Sequence, residues 1–290
     1  MPELPPRLKV LYPFEGKTFA SSSGQLHYLD EGDGPAILMF HGNPTWSFFY
    51  RNVVLGLRNK HRCLALDNLG CGFSGKPQKG DYTLAGHIKR ACEWVESTGV
   101  ESAHLVVHDW GGPIGLGMAA RLHDRIKSIS ILNTAAFPFP TIPARIAACR
   151  FPFLGAFLVR SLNAFARGAT RMTTVEPLSE AVTEGYLYPY GNWHDRVAVH
   201  AFVRDIPMRS SHRSWETLQE LEKSLSLWRE KPVQLLWGMH DWCFHDKFLA
   251  QWQSILPDAE VQRFEKAGHY LLEDAGEEVT AAIGNLAGNL

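Results

Sequence analysis

The sequence has almost no net charge: 29 Lys and Arg stand against 30 Asp and Glu, leaving −1 at neutral pH. That balance offers no basic field to a phosphate backbone, and no nucleic-acid module is present, so DNA and RNA are not expected partners. Cysteine is sparse. Cys63, Cys71, Cys92, Cys149 and Cys243 show neither metal nor redox spacing, and their odd number is the pattern of reduced thiols. Residues 1–10 hold three prolines and no apolar stretch, so no secretory leader is expected and the cytosol is the expected compartment. No apolar run approaches the roughly 18 residues of a membrane span. Internal repeats and low-complexity tracts are absent.

What is present is an ordinary globular composition, 45% hydrophobic and 20% charged over 290 residues, enough for one large α/β domain or for a core with an inserted lid. Residues 17–22 and 25–30 read as a hairpin turning at Ser23-Gly24. Short apolar strands follow at 36–40 and 62–66, with a helix over 46–58 between them. Residues 83–97 form an amphipathic helix pattern, with Leu84, Ile88, Cys92 and Val95 on one face. Further strands are expected at 105–107, 127–132, 233–237 and 261–264, and a helix at 246–255. Strands alternating with helices imply a mainly parallel sheet covered on both faces. Residues 135–211 break the rhythm, being rich in Phe, Pro, Arg and small residues. The expected organisation is therefore a core from 1–134 and 212–290 with a helical cap over 135–211. Such a cap would rest above the strands' C-terminal ends, where ligands bind in open α/β sheets.

The most informative segment is Leu105-Val106-Val107-His108-Asp109-Trp110-Gly111-Gly112. An apolar strand runs into a tight Gly-flanked turn, the shape of a nucleophile elbow with Asp109 where Ser is usual. A carboxylate is already ionised and can displace a leaving group from saturated carbon, forming an ester on the enzyme. The competing reading makes Asp109 a simple cap for the helix that Pro113 opens.

Other residues weigh toward chemistry. His41-Gly42-Asn43-Pro44 follows a strand directly, where a loop would face the elbow. Asn43 and Trp110 each offer backbone and side-chain N–H donors, a pair suited to an oxyanion or a departing anion such as halide. As alternatives, the first is a turn and the second a packing Trp. Asp241 lies just past the 233–237 strand and His269 just past the last strand. The order Asp109, Asp241, His269 is that of an α/β-hydrolase triad, with His269 activating water and Asp241 orienting its ring. Asp67 opens a glycine-rich turn, and His41 and His108 read as hydrogen-bonded scaffold. His245 reads as a residue near a helix start rather than a second base.

With these residues assembled, the chain resembles the α/β-hydrolase superfamily throughout, and the haloalkane dehalogenases in particular. Residues 36–75 and 104–134 carry the strongest likeness, which extends to Asp241 and His269. Epoxide hydrolases share the elbow but usually place an aromatic residue where Asn43 stands, and fluoroacetate dehalogenases generally have Arg after the nucleophile. Some dehalogenases take their acid from the earlier strand, but that position falls near Asn133, so Asp241 is the expected partner of His269. An Asp–His–Asp set with Asn and Trp donors resembles the third dehalogenase subfamily. That subfamily also looks like the β-lactone decarboxylases of bacterial olefin biosynthesis, to which Leu11-Tyr12-Pro13-Phe14, Asn133-Thr134-Ala135-Ala136-Phe137 and residues 153–167 are similar.

The resemblance implies an α/β-hydrolase fold and dehalogenation of a small apolar haloalkane to alcohol and halide ion, with no cofactor or metal. The main alternative it leaves is β-lactone decarboxylation on the same five residues. An epoxide hydrolase, or a non-catalytic binding protein on this fold, is a more distant reading. Phe137, Phe139, Phe153, Phe165, Tyr186, Trp193 and Met208 are expected to supply an apolar cavity. Residues 146–172 are apolar with Arg150, Arg160, Arg167 and Arg171 spaced along them. They read as a lid with solvated arginines, or as a surface for a second subunit, a partner enzyme or a membrane face.

Overall fold

The computed structural model describes residues 4–288. Eight strands form one sheet in the order β1-β2-β4-β3-β5-β6-β7-β8. They are β1 (Lys17–Ser21), β2 (Gly24–Glu31), β3 (Ala36–Phe40), β4 (Arg62–Leu66), β5 (Ala103–His108), β6 (Ile126–Leu132), β7 (Val233–Gly238) and β8 (Glu260–Phe264). β1 and β2 pair antiparallel, β2 lies antiparallel to β4, and every other pair is parallel.

Side chains alternate across a strand, so one strand feeds two cores. Leu38, Phe40, Leu105, Val107, Ile129, Ile131 and Leu235 enter the core on one face. Ile37, Met39, Val106, Leu132 and Leu236 enter the core on the other. This explains why β3 and β5 are buried along their whole length, as parallel strands covered on both faces must be. The outer strands β1 and β8 are largely exposed and carry charge, which blunts them as edges.

The expected elements are found with small shifts. The hairpin turns at Ser22-Ser23, and the helix expected over 46–58 is a 3₁₀ turn, Ser47–Tyr50, leading into the α-helix Arg51–Leu57. Helix Leu84–Ser97 starts on the Thr83 side chain, which accepts from the Gly86 N–H. A short helix at Pro6–Leu11, with Leu8 buried, is one that periodicity did not reveal. Among the described residues no strand lies between Leu132 and Val233, a stretch that contains helices Ala144–Cys149, Pro152–Ala156, Ala164–Met172, Glu180–Leu187, Val197–Arg204 and Trp215–Ser224.

The topology positions the site. From β3 the chain passes to β4 on one side, and from β5 to β6 on the other. Adjacent strands whose connections leave in opposite directions open a crevice at their C-terminal ends. Asn43 follows β3 and Asp109 follows β5, so both sit at that crevice.

Candidate active site

Asp109 stands in the left-handed region at φ 51°, a conformation that costs a non-glycine residue about 1–3 kcal/mol. The turn is held by several bonds. The Asp109 N–H donates to the Asn133 carbonyl at 3.2 Å and the Gly112 N–H to the Asp109 carbonyl at 2.9 Å. The Thr134 hydroxyl donates to that same carbonyl at 2.5 Å. Two glycines admit the elbow. A Cβ on Gly111 would lie 1.9 Å from the Phe40 carbonyl oxygen, and one on Gly42 would lie 1.9 Å from Asp109 Oδ1.

The Asn43 backbone N–H donates to Asp109 Oδ1 at 2.6 Å, and the Trp110 backbone N–H also favours the ionised carboxylate. His269 Nε2 lies 3.7 Å from Asp109 Oδ2. On its far side, His269 Nδ1 meets Asp241 Oδ2 at 2.8 Å. Asp241 is fixed in turn by the N–H groups of Cys243 and Phe244, at 2.6 and 3.0 Å from Oδ1. The imidazole is flanked by the Phe244 ring, stacked at 5.6 Å, and the His108 ring at 4.6 Å. Asp109, Asp241 and His269 are thus one contiguous, buried set.

Burial is the largest influence on Asp109 and raises its carboxyl above the ordinary range, against the opposing pull of His269 and the two backbone N–H groups. Burial alone would depress His269, but the charge and hydrogen bond of Asp241, with Asp109 behind them, outweigh it and raise the imidazole. Esterification of Asp109 would remove one of those charges, so His269 would be less raised in the covalent state and more readily neutral there. His108 is pushed far below its usual value by burial and then by His269. It therefore stays neutral and bonds the His269 carbonyl through Nε2 at 2.8 Å.

The Asn43 side chain donates through Nδ2 to the Val199 carbonyl at 3.2 Å, so one of its amide hydrogens is engaged there, while Oδ1 is buried without a partner. Trp110 packs its ring against Phe202 at 5.2 Å and lines the cavity above Asp109. That cavity has a volume of about 330 Å³ and contains Asn43, Asp109, Trp110 and His269 in its wall. Of the seven residues expected to line it, Phe137, Phe139, Phe165 and Met208 do so. Phe153 and Trp193 instead face outward, exposed by 92% and 43%. Tyr186 is turned to the Arg51–Glu273 ion pair, where its hydroxyl bonds Glu273.

His41 bonds the Gly42 carbonyl through Nδ1 and accepts the Asn68 N–H through Nε2, at 2.7 and 3.0 Å. Asp67 accepts from Ser47 N–H, Phe73 N–H and His27 Nδ1, at 2.7, 3.0 and 2.7 Å, tying the loops beneath the site together. His245 precedes helix Asp246–Ile255. Asn133 clips β6 to β7, exchanging bonds with both backbone groups of Gly238 at 3.1 and 2.8 Å. Thr134, Gly42 and Asn133 were not singled out as supports of the elbow. The signal available was their place just past β3 and β6, which informs only once those strands are known to flank β5.

Residues 37–282 match the alpha/beta hydrolase family. The chain is 40% identical over 283 residues to the cis-3-alkyl-4-alkyloxetan-2-one decarboxylase of Shewanella oneidensis, covering 95% of this chain and 89% of that one. It is 34% identical over 278 residues to haloalkane dehalogenase 2 of Mycobacterium tuberculosis, covering 94% and 95%. Among solved structures, haloalkane dehalogenase DbeA from Bradyrhizobium elkani shares the fold with a TM-score of 0.87 at 23% identity, covering 95% of this chain and 98% of that one.

Proposed function

This chain belongs to the alpha/beta hydrolase family, and we propose that within it the protein decarboxylates cis-3,4-dialkyl β-lactones to alkenes, with Asp109 as nucleophile. The observation that carries the reading is a buried carboxylate at the floor of an apolar cavity of about 330 Å³, walled by residues such as Ile142, Ile146, Leu158 and Phe165. That volume belongs to ligands of drug size rather than to the smallest haloalkanes, and it suits a strained ring bearing two alkyl arms. The higher identity to the Shewanella oneidensis decarboxylase, 40% against 34% for the dehalogenase, supports the same choice.

The chemistry follows from the geometry. Asp109 Oδ1 is held by the Asn43 N–H, so Oδ2 is the attacking atom. It displaces the ring oxygen from C4 of the lactone, breaking C4–O1 and forming an alkyl ester on Asp109. The leaving group is a carboxylate still tethered to C3, and the Trp110 and Asn43 side chains are its donors. In the second step the C3–carboxyl bonding pair becomes the C3=C4 double bond, carbon dioxide leaves, and the C4–O bond returns its pair to Asp109. Negative charge grows on Asp109 as it departs, and the backbone N–H groups of Asn43 and Trp110 with the His269 imidazolium stabilise it. Atoms balance without water.

Haloalkane dehalogenation is the second reading, favoured by the indole of Trp110 lining the cavity beside Asp109. There the departing anion is halide, and His269 drives water onto the ester carbonyl, with the proton passing to the imidazole. The test is a paired assay of purified protein: alkene from a dialkyl cis-β-lactone beside bromide from 1-bromobutane, each with Asp109→Ala as control. Alkene formation lost in Asp109→Ala is the expected result. Bromide release that outpaces alkene formation would reverse the assignment.

A further inference from the structure

Segment 144–175 contains five arginines (Arg145, Arg150, Arg160, Arg167, Arg171) and no Asp or Glu. Its helices are apolar on two sides. The inner side is accounted for: Ile146, Cys149, Val159 and Ala166 pack with Val199 and Val203 of helix Val197–Arg204, and Leu158, Ala164 and Phe165 line the cavity. The outer side is not. Phe151, Phe153 and Phe157 are exposed by 61%, 92% and 54%, with Leu154 and Leu162 exposed beside them. Around this apolar ridge, Arg145, Arg167 and Arg171 are exposed, and Arg160 lies over the exposed Trp193 ring, 3.2 Å from its centroid.

We propose that this outer face docks on the surface of an anionic lipid bilayer, with Phe151, Phe153 and Phe157 in the headgroup–acyl boundary and the arginines on lipid phosphates. Exposed aromatics beside cations, on a segment that holds no Asp or Glu, are the chemistry of an interfacial surface. Charge decides between occupants. A second copy laid on this face would set its exposed arginines against the same arginines with no acid on either segment to answer them, whereas an anionic bilayer complements them. No helix among the described residues is long and apolar enough to cross a membrane, so the contact is a docking and not a span. The same helices wall the cavity from inside, which places an apolar substrate dissolved in the bilayer next to the site's roof. The docking does not depend on which leaving group Asp109 displaces.

The experiment is co-sedimentation of the full chain with vesicles of phosphatidylglycerol and phosphatidylcholine in equal parts, beside vesicles of phosphatidylcholine alone. Binding to the anionic vesicles, at least tenfold weaker on the neutral ones and reversed by salt, is the expected result. Phe153→Ser with Phe157→Ser should weaken binding by about tenfold or more per side chain, and Arg167→Glu with Arg171→Glu by about fivefold or more per residue. None of these four side chains lines the cavity, so melting temperature and turnover of a short, water-soluble substrate should hold in both variants. Failure of the wild type to sediment with anionic vesicles overturns the proposal. So does binding unchanged in both variants, and so does a wild-type dimer that light scattering shows becoming a monomer in the Phe variant without any vesicle binding. The last result would give the face to a second copy.

Discussion

Replacing Asp241 by Asn isolates what the buried acid does for His269. The variant preserves shape: Oδ1 can still accept from Cys243 and Phe244, and the side chain can still meet Nδ1 at about the 2.8 Å seen with Asp241. What it removes is the charge that does most to raise His269 against its burial. At an effective dielectric of about 20, two unit charges about 4 Å apart are worth about 4 kcal/mol. That is about three powers of ten in any step that needs the imidazolium. Attack by Asp109 on the substrate carbon does not need it; release of Asp109 from its ester does. Rapid quenching should therefore show one equivalent of lactone per chain consumed near the wild-type rate without alkene, then a steady state about a thousandfold slower. Intact mass should show one substrate adduct per chain, located on the peptide carrying Asp109. If consumption of that first equivalent slows as much as the steady state and no adduct accumulates, the covalent scheme and the placement of Asp241 in its second half are both wrong.

Two further outcomes test the scaffold. Gly42→Ala places a methyl where Asp109 Oδ1 lies, 1.9 Å away, and so drives the carboxylate off the Asn43 N–H. Turnover should fall about a hundredfold or more with a modest loss in melting temperature, and near-native turnover would contradict the tight approach. For Asp67→Asn, unfolding by urea should report a loss of about 3 kcal/mol at neutral pH, because a buried charge-assisted cluster loses its centre. Burial works to raise Asp67, but the hydrogen bond and charge of His27, then His41 and the Ser47 N–H, bring it below the usual carboxylate value. A folded value below the unfolded one of about 3.9 means this stability is present above about pH 4 and fades as pH falls toward the folded value. The difference between wild type and Asp67→Asn should therefore narrow in acid, and a gap that widens there would refute the assignment.

The elbow was legible because its signals are local. A strand of Leu, Val and Val ending in His-Asp-Trp-Gly-Gly needs positive φ at one position and no side chain two positions on, and Asp109 at φ 51° with Gly111 after Trp110 is what stands there. Asn43, Asp241 and His269 were legible as residues just past strands, since parallel strands deliver such residues to one edge. Their mutual distances were not, because strand order is settled by packing between segments far apart in sequence. For the same reason the clip from Asn133 to Gly238, 105 positions apart, was invisible. The cavity lining was half legible. Phe137 and Phe165 turn inward, but Phe153 and Trp193 turn out, because the segment's hydrophobicity exceeds what its inner face can bury. Tyr186 misled for another reason: its hydroxyl found the Arg51–Glu273 pair, a partner that no local pattern announces.

The most direct measurement of the central claim is isotopic. The enzyme is turned over on a dialkyl cis-β-lactone in water enriched in oxygen-18, and the peptide carrying Asp109 is then weighed. Fragmentation returns Asp109 with its own two oxygens, so after many turnovers the peptide should remain unlabelled while alkene and carbon dioxide accumulate. Hydrolysis of the ester would instead place solvent oxygen in the Asp109 carboxylate. A labelled peptide formed during lactone turnover would contradict the account.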